Sequence, residues 1–333
     1  MRTHDRKRLY RCRTLVNVIL LLSHAYWGSA SAENIRVSYA SLGTGYMDHI
    51  VAMEKGYFRE EGLNVEAIKA GGGVATPALL SGQLQFSTSA AAALSGALRG
   101  GPLKIVYTNR SWFPYKLVSN KPDIKTVRDL VEKKVVVATF GDALHLSTLL
   151  VLKKHAIPPS AVLFIMAGTN PARFVAFKAG SVDATPLTPK EVIVWAQSSG
   201  HVLSDMAKEV QMVGNGVAVS NKLLAENSLL VARFLRAVVK GREYARRYKE
   251  QTVAMVAKFD PTPREAIALE YATNVSVMTE EGWVSQEVLK EEVATRAELS
   301  KLTQPPDVSK LYDYSIIRKI YADLKASGWS PTL

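Results

Sequence analysis

From residue 33 onward, short runs of β-branched and aliphatic residues alternate with stretches in which apolar side chains recur every three to four positions. The runs Ile35–Tyr39, Leu63–Ile68, Leu84–Thr88, Lys104–Thr108, Val135–Thr139, Val162–Met166 and Val182–Thr185 are predicted strands. Between the first two, Tyr46, Ile50, Met53 and Tyr57 recur at helical spacing and predict a helix over Tyr46–Lys55. Strand, helix, strand is the repeating unit, which predicts an α/β fold with mainly parallel sheets covered by helices. After residue 220 the pattern becomes almost wholly helical. Leu230, Phe234, Ala237, Tyr244 and Tyr248 share one face of a long helix, and Asp313–Ala326 reads as a last amphipathic helix.

The pattern also repeats at long range. Leu63–Thr88 reads strand, small-residue turn (AGGG), helix, strand, and Val162–Thr185 reads strand, turn (AGTN), helix, strand, with Gly82 and Gly180 at matching places 98 residues apart. A single copy is an ordinary strand-helix-strand unit. Two at domain spacing predict two similar lobes, although any α/β protein contains such units. Two extended stretches are the expected crossings between lobes: Tyr115–Pro122, ended by its proline, and Val213–Ser220, whose glycines permit a sharp change of direction. The expected organisation is a leader over 1–32, a first lobe over 33–119 plus 215–333 with the C-terminal helices as a buttress, and a second lobe over 120–214. A chain of 333 residues suits two such lobes.

The leader follows a pattern of its own. Arg2, Arg6, Lys7, Arg8, Arg11 and Arg13 form a basic head, Thr14–Leu22 a short apolar core, and Ala30-Ser31-Ala32 a small-residue cleavage signal ahead of Glu33. The apolar core is far shorter than the roughly 20 residues a bilayer span needs, so a cleaved secretory signal fits better than an anchor. Export to the periplasm is the expected address. Cys12, the only cysteine, falls in that leader. The mature chain then holds no disulfide, cysteine nucleophile, cysteine-ligated zinc or iron-sulfur cluster.

Formal charge over the whole chain is +12, of which the leader's six basic residues and one acidic residue, Asp5, account for five, leaving +7. That excess is spread along the chain. Arg233, Arg236, Lys240 and Arg247 lie opposite the apolar stripe of the long helix and read as a solvated face, so nucleic acid is not an expected partner. Catalytic signatures such as HExxH or G-x-S-x-G are absent from the sequence, and its six histidines are scattered. Neither catalysis, a metal nor a cofactor is expected.

The segments GYMDHIVAMEKGYFREEGLNVE (Gly45–Glu66), GGG (Gly71–Gly73) and LLSGQLQFSTS (Leu79–Ser89) resemble the opening of the nitrate, sulfonate and thiamine-precursor class of ABC-transporter substrate-binding proteins. KPDIKTVRDLVEKKVVVATFGD (Lys121–Asp142), FKAGSVDATPLTP (Phe177–Pro189) and VSNKLLAENSLLVARFLRA (Val219–Ala237) continue the resemblance in order over essentially the whole mature chain. It implies a type II periplasmic-binding-protein fold of two lobes and two hinge crossings, a small polar or anionic ligand in the cleft, and an inner-membrane ABC permease with its ATPase as partner to a monomer. Some relatives in this class make a thiamine pyrimidine from a pyridoxal cofactor and depend on a cysteine-rich motif, which the mature chain lacks. A sensory receptor of the same fold, or an adhesion or scaffold protein, remains a competing reading.

Ligands of open α/β sheets lie beyond the carboxyl ends of the strands, where helix N-termini offer free N–H groups and a positive dipole end. In the first lobe this selects Thr44 and Tyr46; Gly72, Gly73 and Val74; and Ser89 and Ala90. In the second it selects Gly141 and Asp142, Thr169 and Asn170, and Leu187. Asp142 is read first as the cap of the helix that follows it and second as a cleft group, and His145, among leucines, reads as structural. Trp112, before the first crossing, is placed to stack on a ligand or to pack a hinge.

Overall fold

The computed structural model describes residues 32–196, 200–210, 212–213 and 215–333. The leader signal and Cys12 lie outside the described residues, apart from Ala32, as does Gly214 of the second expected crossing. Among the described residues, ten strands form two five-stranded sheets: β1 (Glu33–Tyr39), β2 (Leu63–Lys69), β3 (Phe86–Ser87), β4 (Leu103–Thr108) and β10 (Gly216–Ser220) in the order β2-β1-β3-β10-β4, and β5 (Lys116–Ser119), β6 (Lys134–Val137), β7 (Leu163–Met166), β8 (Ala184–Leu187) and β9 (His201–Asp205) in the order β7-β6-β8-β5-β9. The helices are α1 (Met47–Glu54), α2 (Tyr57–Glu60), α3 (Gly72–Leu80), α4 (Ala90–Leu98), α5 (Ala143–Lys154), α6 (Asn170–Lys178), α7 (Pro189–Trp195), α8 (Met206–Glu209), α9 (Asn221–Glu226), α10 (Ser228–Arg247), α11 (Lys249–Val256), α12 (Arg264–Ser276), α13 (Gln286–Leu299), α14 (Val308–Leu311) and α15 (Ser315–Ala326).

The two sheets share one plan. In each, the first three neighbours come from strand-helix-strand units, and the fourth strand runs antiparallel to both of its partners: β10 against β3 and β4, β5 against β8 and β9. That fourth strand is the one that follows each passage from the other sheet, so each sheet, mainly parallel as the sequence pattern predicted, carries one antiparallel strand. The repeat read from the sequence is real in three dimensions: β2-α3-β3 and β7-α6-β8 occupy equivalent places, and Gly82 and Gly180 both adopt left-handed φ, 78° and 70°, where the chain turns back after its helix.

The crossings differ from those expected. Tyr115–Pro122 contains β5, whose Lys116–Ser119 pair residue by residue with Leu187–Ala184 of β8, and Val213–Ser220 contains β10. The chain passes between sheets over residues 109–115 and returns over 206–215, where Asn109 N–H donates to Asn215 O at 2.7 Å and binds the two passages side by side. The strand pattern in those segments is set by partners far along the chain, which the local sequence does not show.

The C-terminal third completes the first core. Phe234 of α10 stacks on Phe86 of β3 with centroids 3.8 Å apart, and Ile267, Leu289, Ile317 and Ile320 join Val37 and Ile105 in one buried cluster. The second lobe holds its own core around Leu117, Val135, Leu152 and Ala184. On the outer side of α10, Arg236 and Lys240 pair with Glu60 and Glu61 at 3.0–3.3 Å, so this basic face is paired with acidic residues of the same lobe. No helix among the described residues is long and apolar enough to cross a membrane.

Candidate functional site

A cavity of about 630 Å³ opens between the two sheets, lined from both lobes by the turns that follow β1, β2, β3, β6, β7 and β8. Each of those turns leads into a helix, so the N-termini of α3 and α4 face those of α5, α6 and α7 across the gap. The lobes meet around it. Ser95 of α4 donates to Gly141 O at 2.8 Å, and a Cβ on Gly71 would lie 2.8 Å from Gly168 O.

The two sets of helix N-termini are finished differently. In the second lobe each is capped by its own side chain: Asp142 accepts from His145 N–H, Thr169 from Ala172 N–H, and Thr188 from Glu191 N–H. In the first lobe neither Gly71 at α3 nor Ser89 at α4 makes a side-chain cap. The first-turn N–H groups of α4 therefore keep their donors for whatever enters the cavity, with Ala90, Ala91 and Ala92 on its wall.

Six charged side chains line the cavity: Lys69, Arg110, Asp142, Glu191, Asp260 and Glu270. Arg110, in the first passage between sheets, is 4% exposed; its Nη1 donates to Asn274 Oδ1, and its buried Nε has no hydrogen-bond partner. Asn274 in turn donates to Thr44 Oγ1 at 3.3 Å, tying the guanidinium to the first predicted turn. Asp260 and Glu270 come from the C-terminal helical region, and both are buried. Asp142 does two things at once: it caps α5 and it lines the cavity. Burial pushes its carboxyl up to about 6 despite the N–H groups of His145 and Thr139 that it accepts. Burial likewise pushes the Tyr46 phenol up to about 12, and Tyr46, Tyr115 and Phe174 give the cavity aromatic walls.

Of the residues selected from the sequence, Thr44, Tyr46, Gly72, Ser89, Ala90, Asp142, Thr169 and Asn170 line the cavity. Gly73, Val74, Trp112, Gly141 and Leu187 do not. Val74 points outward from α3 and is 69% exposed, Leu187 is fully buried in β8, and Trp112 is exposed away from the cavity while Phe113 and Tyr115 beside it enter the second core. Gly141 instead supplies the carbonyl that Ser95 reaches, and Gly73 lies against Thr139. His145 is structural: its Nδ1 accepts from Gly141 N–H at 2.9 Å, and burial lowers its pKa to about 4. Arg110, Asp260 and Glu270 were not selected. An arginine two residues after the predicted strand Lys104–Thr108, just ahead of the aromatic stretch WFPY, was the available signal for the first; the other two are brought in only by tertiary packing.

Among the described residues no group of three or more His, Cys, Asp or Glu could hold a metal ion. The family model NMT1/THI5 like matches residues 44–252, more than half of the chain. The chain belongs to the NMT1/THI5-like family. A protein of Brucella abortus (strain 2308) described as a binding protein is 26% identical over 269 residues, covering 76% of this chain and 80% of the relative. Among solved structures, the alkanesulfonate-binding protein SsuA from Xanthomonas axonopodis pv. citri bound to MOPS superposes with a TM-score of 0.69 at 16% identity, over 84% of this chain and 96% of that one. The desulfurization enzyme DSZB, solved as a cysteine-to-serine variant with biphenyl-2-sulfinic acid, reaches 0.60 at 12% identity over 88% and 99%. The NMT1/THI5-like chain thus has the two-lobed periplasmic-binding-protein fold, a fold that binding proteins and at least one enzyme share.

Proposed function

We propose that this protein is the extracytoplasmic solute-binding component of an ABC importer, which captures a small anion or polar molecule by closing its lobes and presents it to a membrane permease and its ATPase. The reading includes export to the periplasm by a cleaved leader and a monomeric binding protein. One observation carries it: a cavity of about 630 Å³ between two lobes, with the buried Arg110 guanidinium on its wall and an uncapped helix N-terminus beside it. Pockets of this size suit small molecules. The charged head of a sulfonate, nitrate or aromatic carboxylate would bridge Arg110 and the N–H groups of Ala90–Ala92, with Tyr46, Tyr115 and Phe174 around its body. Thr44, Gly72, Ser89, Asp142, Thr169 and Asn170 complete the proposed site. Closure follows because the second lobe contributes walls but keeps its helix ends occupied.

The neighbour DSZB keeps an enzymatic alternative in view, and relatives that use a pyridoxal cofactor sharpen it. Against it stands chemistry: the described residues contain no cysteine, whereas DSZB carries one at the position changed to serine in its complex with biphenyl-2-sulfinic acid. A thermal-shift screen of the purified protein against sulfonates, nitrate, aromatic carboxylates and pyrimidines tests the proposal. A ligand at 100 times its Kd adds about 2.7 kcal/mol of stability, and at the same concentration the gain falls to about 0.4–1.4 kcal/mol in Arg110→Met. A pyridoxal absorbance band, or no shift with any anion, would overturn it. A sensory receptor would bind equally well but would lack a permease and ATPase encoded beside it.

A further inference from the structure

An arginine can only donate hydrogen bonds, and at Arg110 that fixes the direction of each bond that follows. Its Nη1 donates to Asn274 Oδ1, so the Asn274 carboxamide presents its Nδ2 to the other side. Two acceptors meet it there, the Glu270 carbonyl oxygen at 3.0 Å and Thr44 Oγ1 at 3.3 Å. A backbone carbonyl only accepts, which gives the same orientation independently. Thr44 Oγ1 therefore accepts from Asn274, and its single hydrogen is left to donate elsewhere. Thr44 lines the cavity, and among the described residues no acceptor meets that hydrogen.

We infer that Asn274 is a positioning residue that sets both Arg110 and Thr44 as donors toward the cleft, and so selects a head group that only accepts over one that must also donate. The inference rests on the proposed binding of an anion at Arg110. Asn274 is buried in the last turn of α12, and the chain just beyond that helix is bonded to the passage that carries Arg110. Thr279 N–H donates to Asn109 O at 2.8 Å, and Arg110 and Met278 pair as an isolated antiparallel bridge.

The guanidinium is confined beyond Asn274 as well. A Cβ on Gly45 would lie 3.5 Å from Arg110 Nη2 and 3.3 Å from the Asn215 Nδ2 that donates to Gly45 O. Gly45 and Asn215 both line the cavity. A long side chain held in this way has given up its rotamer freedom before a ligand arrives, so less ordering is left to oppose binding.

The test is calorimetric titration of the purified protein with benzenesulfonate and with benzenesulfonamide, a neutral relative whose head group carries N–H donors. In Asn274→Asp the new carboxylate still accepts from Arg110 but no longer donates, so the Thr44 hydroxyl turns to it and offers its lone pairs to the cleft. The ratio of the two Kd values moves toward the sulfonamide by at least about tenfold, whereas a residue that only held the fold would weaken both probes alike. Thr44→Val removes the hydroxyl without adding charge: benzenesulfonate weakens roughly tenfold and benzenesulfonamide less, and this variant carries the test if Asn274→Asp fails to fold. An unchanged ratio in folded Asn274→Asp, or unchanged benzenesulfonate affinity in Thr44→Val, overturns the inference while Arg110→Met still weakens benzenesulfonate. Full benzenesulfonate affinity in Arg110→Met, or none in the wild type, overturns the anion reading itself and the inference with it.

Discussion

The two lobes are built on one strand order yet differ at the places where they face each other. In the second lobe every helix that points at the cleft is closed by its own chain: Asp142, Thr169 and Thr188 cap α5, α6 and α7, and the fully buried Arg173 of α6 binds Glu191 of α7 at 2.5 Å and Thr185 of β8 at 2.9 Å. In the first lobe the position equivalent to Arg173, 98 residues earlier, is Ala75, and α3 packs on α4 so closely that a Cβ on Gly72 would lie 2.3 Å from the Cβ of Ala92. Duplicated architecture has thus been divided in its chemistry. One lobe spends its polar groups on itself and is a rigid wall; the other uses small residues for packing and leaves main-chain donors open.

Removing the internal lock of the second lobe is expected to have the largest effect. Arg173→Met leaves Glu191 buried without its cation and costs about 3–5 kcal/mol, measured by urea unfolding. A loss under about 1 kcal/mol, typical of an exposed pair, would show that the second lobe is not held this way. Next in size is the first lobe's side of the comparison. Arg110→Met removes charge-assisted hydrogen bonds worth about 1.5–3 kcal/mol, so Kd for an anionic ligand rises roughly 10- to 100-fold by calorimetry. Unchanged affinity would move the ligand head away from Arg110.

What the sequence made legible follows the same physical line. Val135–Val137, buried on both faces, is a continuous apolar run, and Ile35–Tyr39 alternates apolar with polar residues, so both were found; the short antiparallel strands Lys116–Ser119, His201–Asp205 and Gly216–Ser220 carry polar or glycine residues, and long-range pairing alone makes them strands. Pro186 stands inside β8, where a proline reads as a stop, so that strand was placed two residues early. The turns at strand ends were readable because the fold class dictates where ligands bind, which explains Thr44, Ser89 and Asp142. Arg110 was hidden by placing the passage between lobes at Tyr115–Pro122, and Asp260 and Glu270 arrive from about 150 residues further on, a distance no local pattern spans.

Closure itself is open to a smaller and cleaner perturbation. Gly71 has φ −74° and ψ 166°, a conformation alanine adopts freely, so Gly71→Ala adds bulk without backbone strain. Its methyl group would lie 2.8 Å from the Gly168 carbonyl oxygen on the opposing lobe, and two backbones must part to admit it. Stability of the free protein should change by less than about 0.5 kcal/mol. Ligand affinity should fall about tenfold, equivalent to roughly 1.4 kcal/mol of lost closure contacts. Small-angle scattering of the ligand-saturated variant should give a larger radius of gyration than the wild type; an equal one would mean that the lobes do not need this contact.

Asp142 belongs to both sides of the comparison, and pH separates its roles. Its folded-state pKa is raised from 3.8 to about 6 by burial, so between those values the folded protein binds more protons than the unfolded chain. Stability contributed by this group is therefore present at the acid end and is lost as pH rises from about 4 to about 6. Asp142→Asn should flatten that part of the thermal-midpoint profile. A profile identical to wild type would show that the carboxyl titrates normally and is wetter than its burial implies.

The smallest effects give the sharpest contrast, because they compare the same chemical change at equivalent ends of equivalent lobes. Thr169 accepts from Ala172 N–H at 3.3 Å, so Thr169→Ala strips a cap from α6 and should cost about 1 kcal/mol. Ser89 caps nothing, so Ser89→Ala should leave stability within about 0.5 kcal/mol of wild type. If both substitutions destabilise equally, Ser89 caps α4 in solution and the open donors of the first lobe are not open. If only Thr169→Ala does, the free N–H groups at Ala90–Ala92 stay available, and the asymmetry between the lobes is what leaves the binding surface exposed in one and shut in the other.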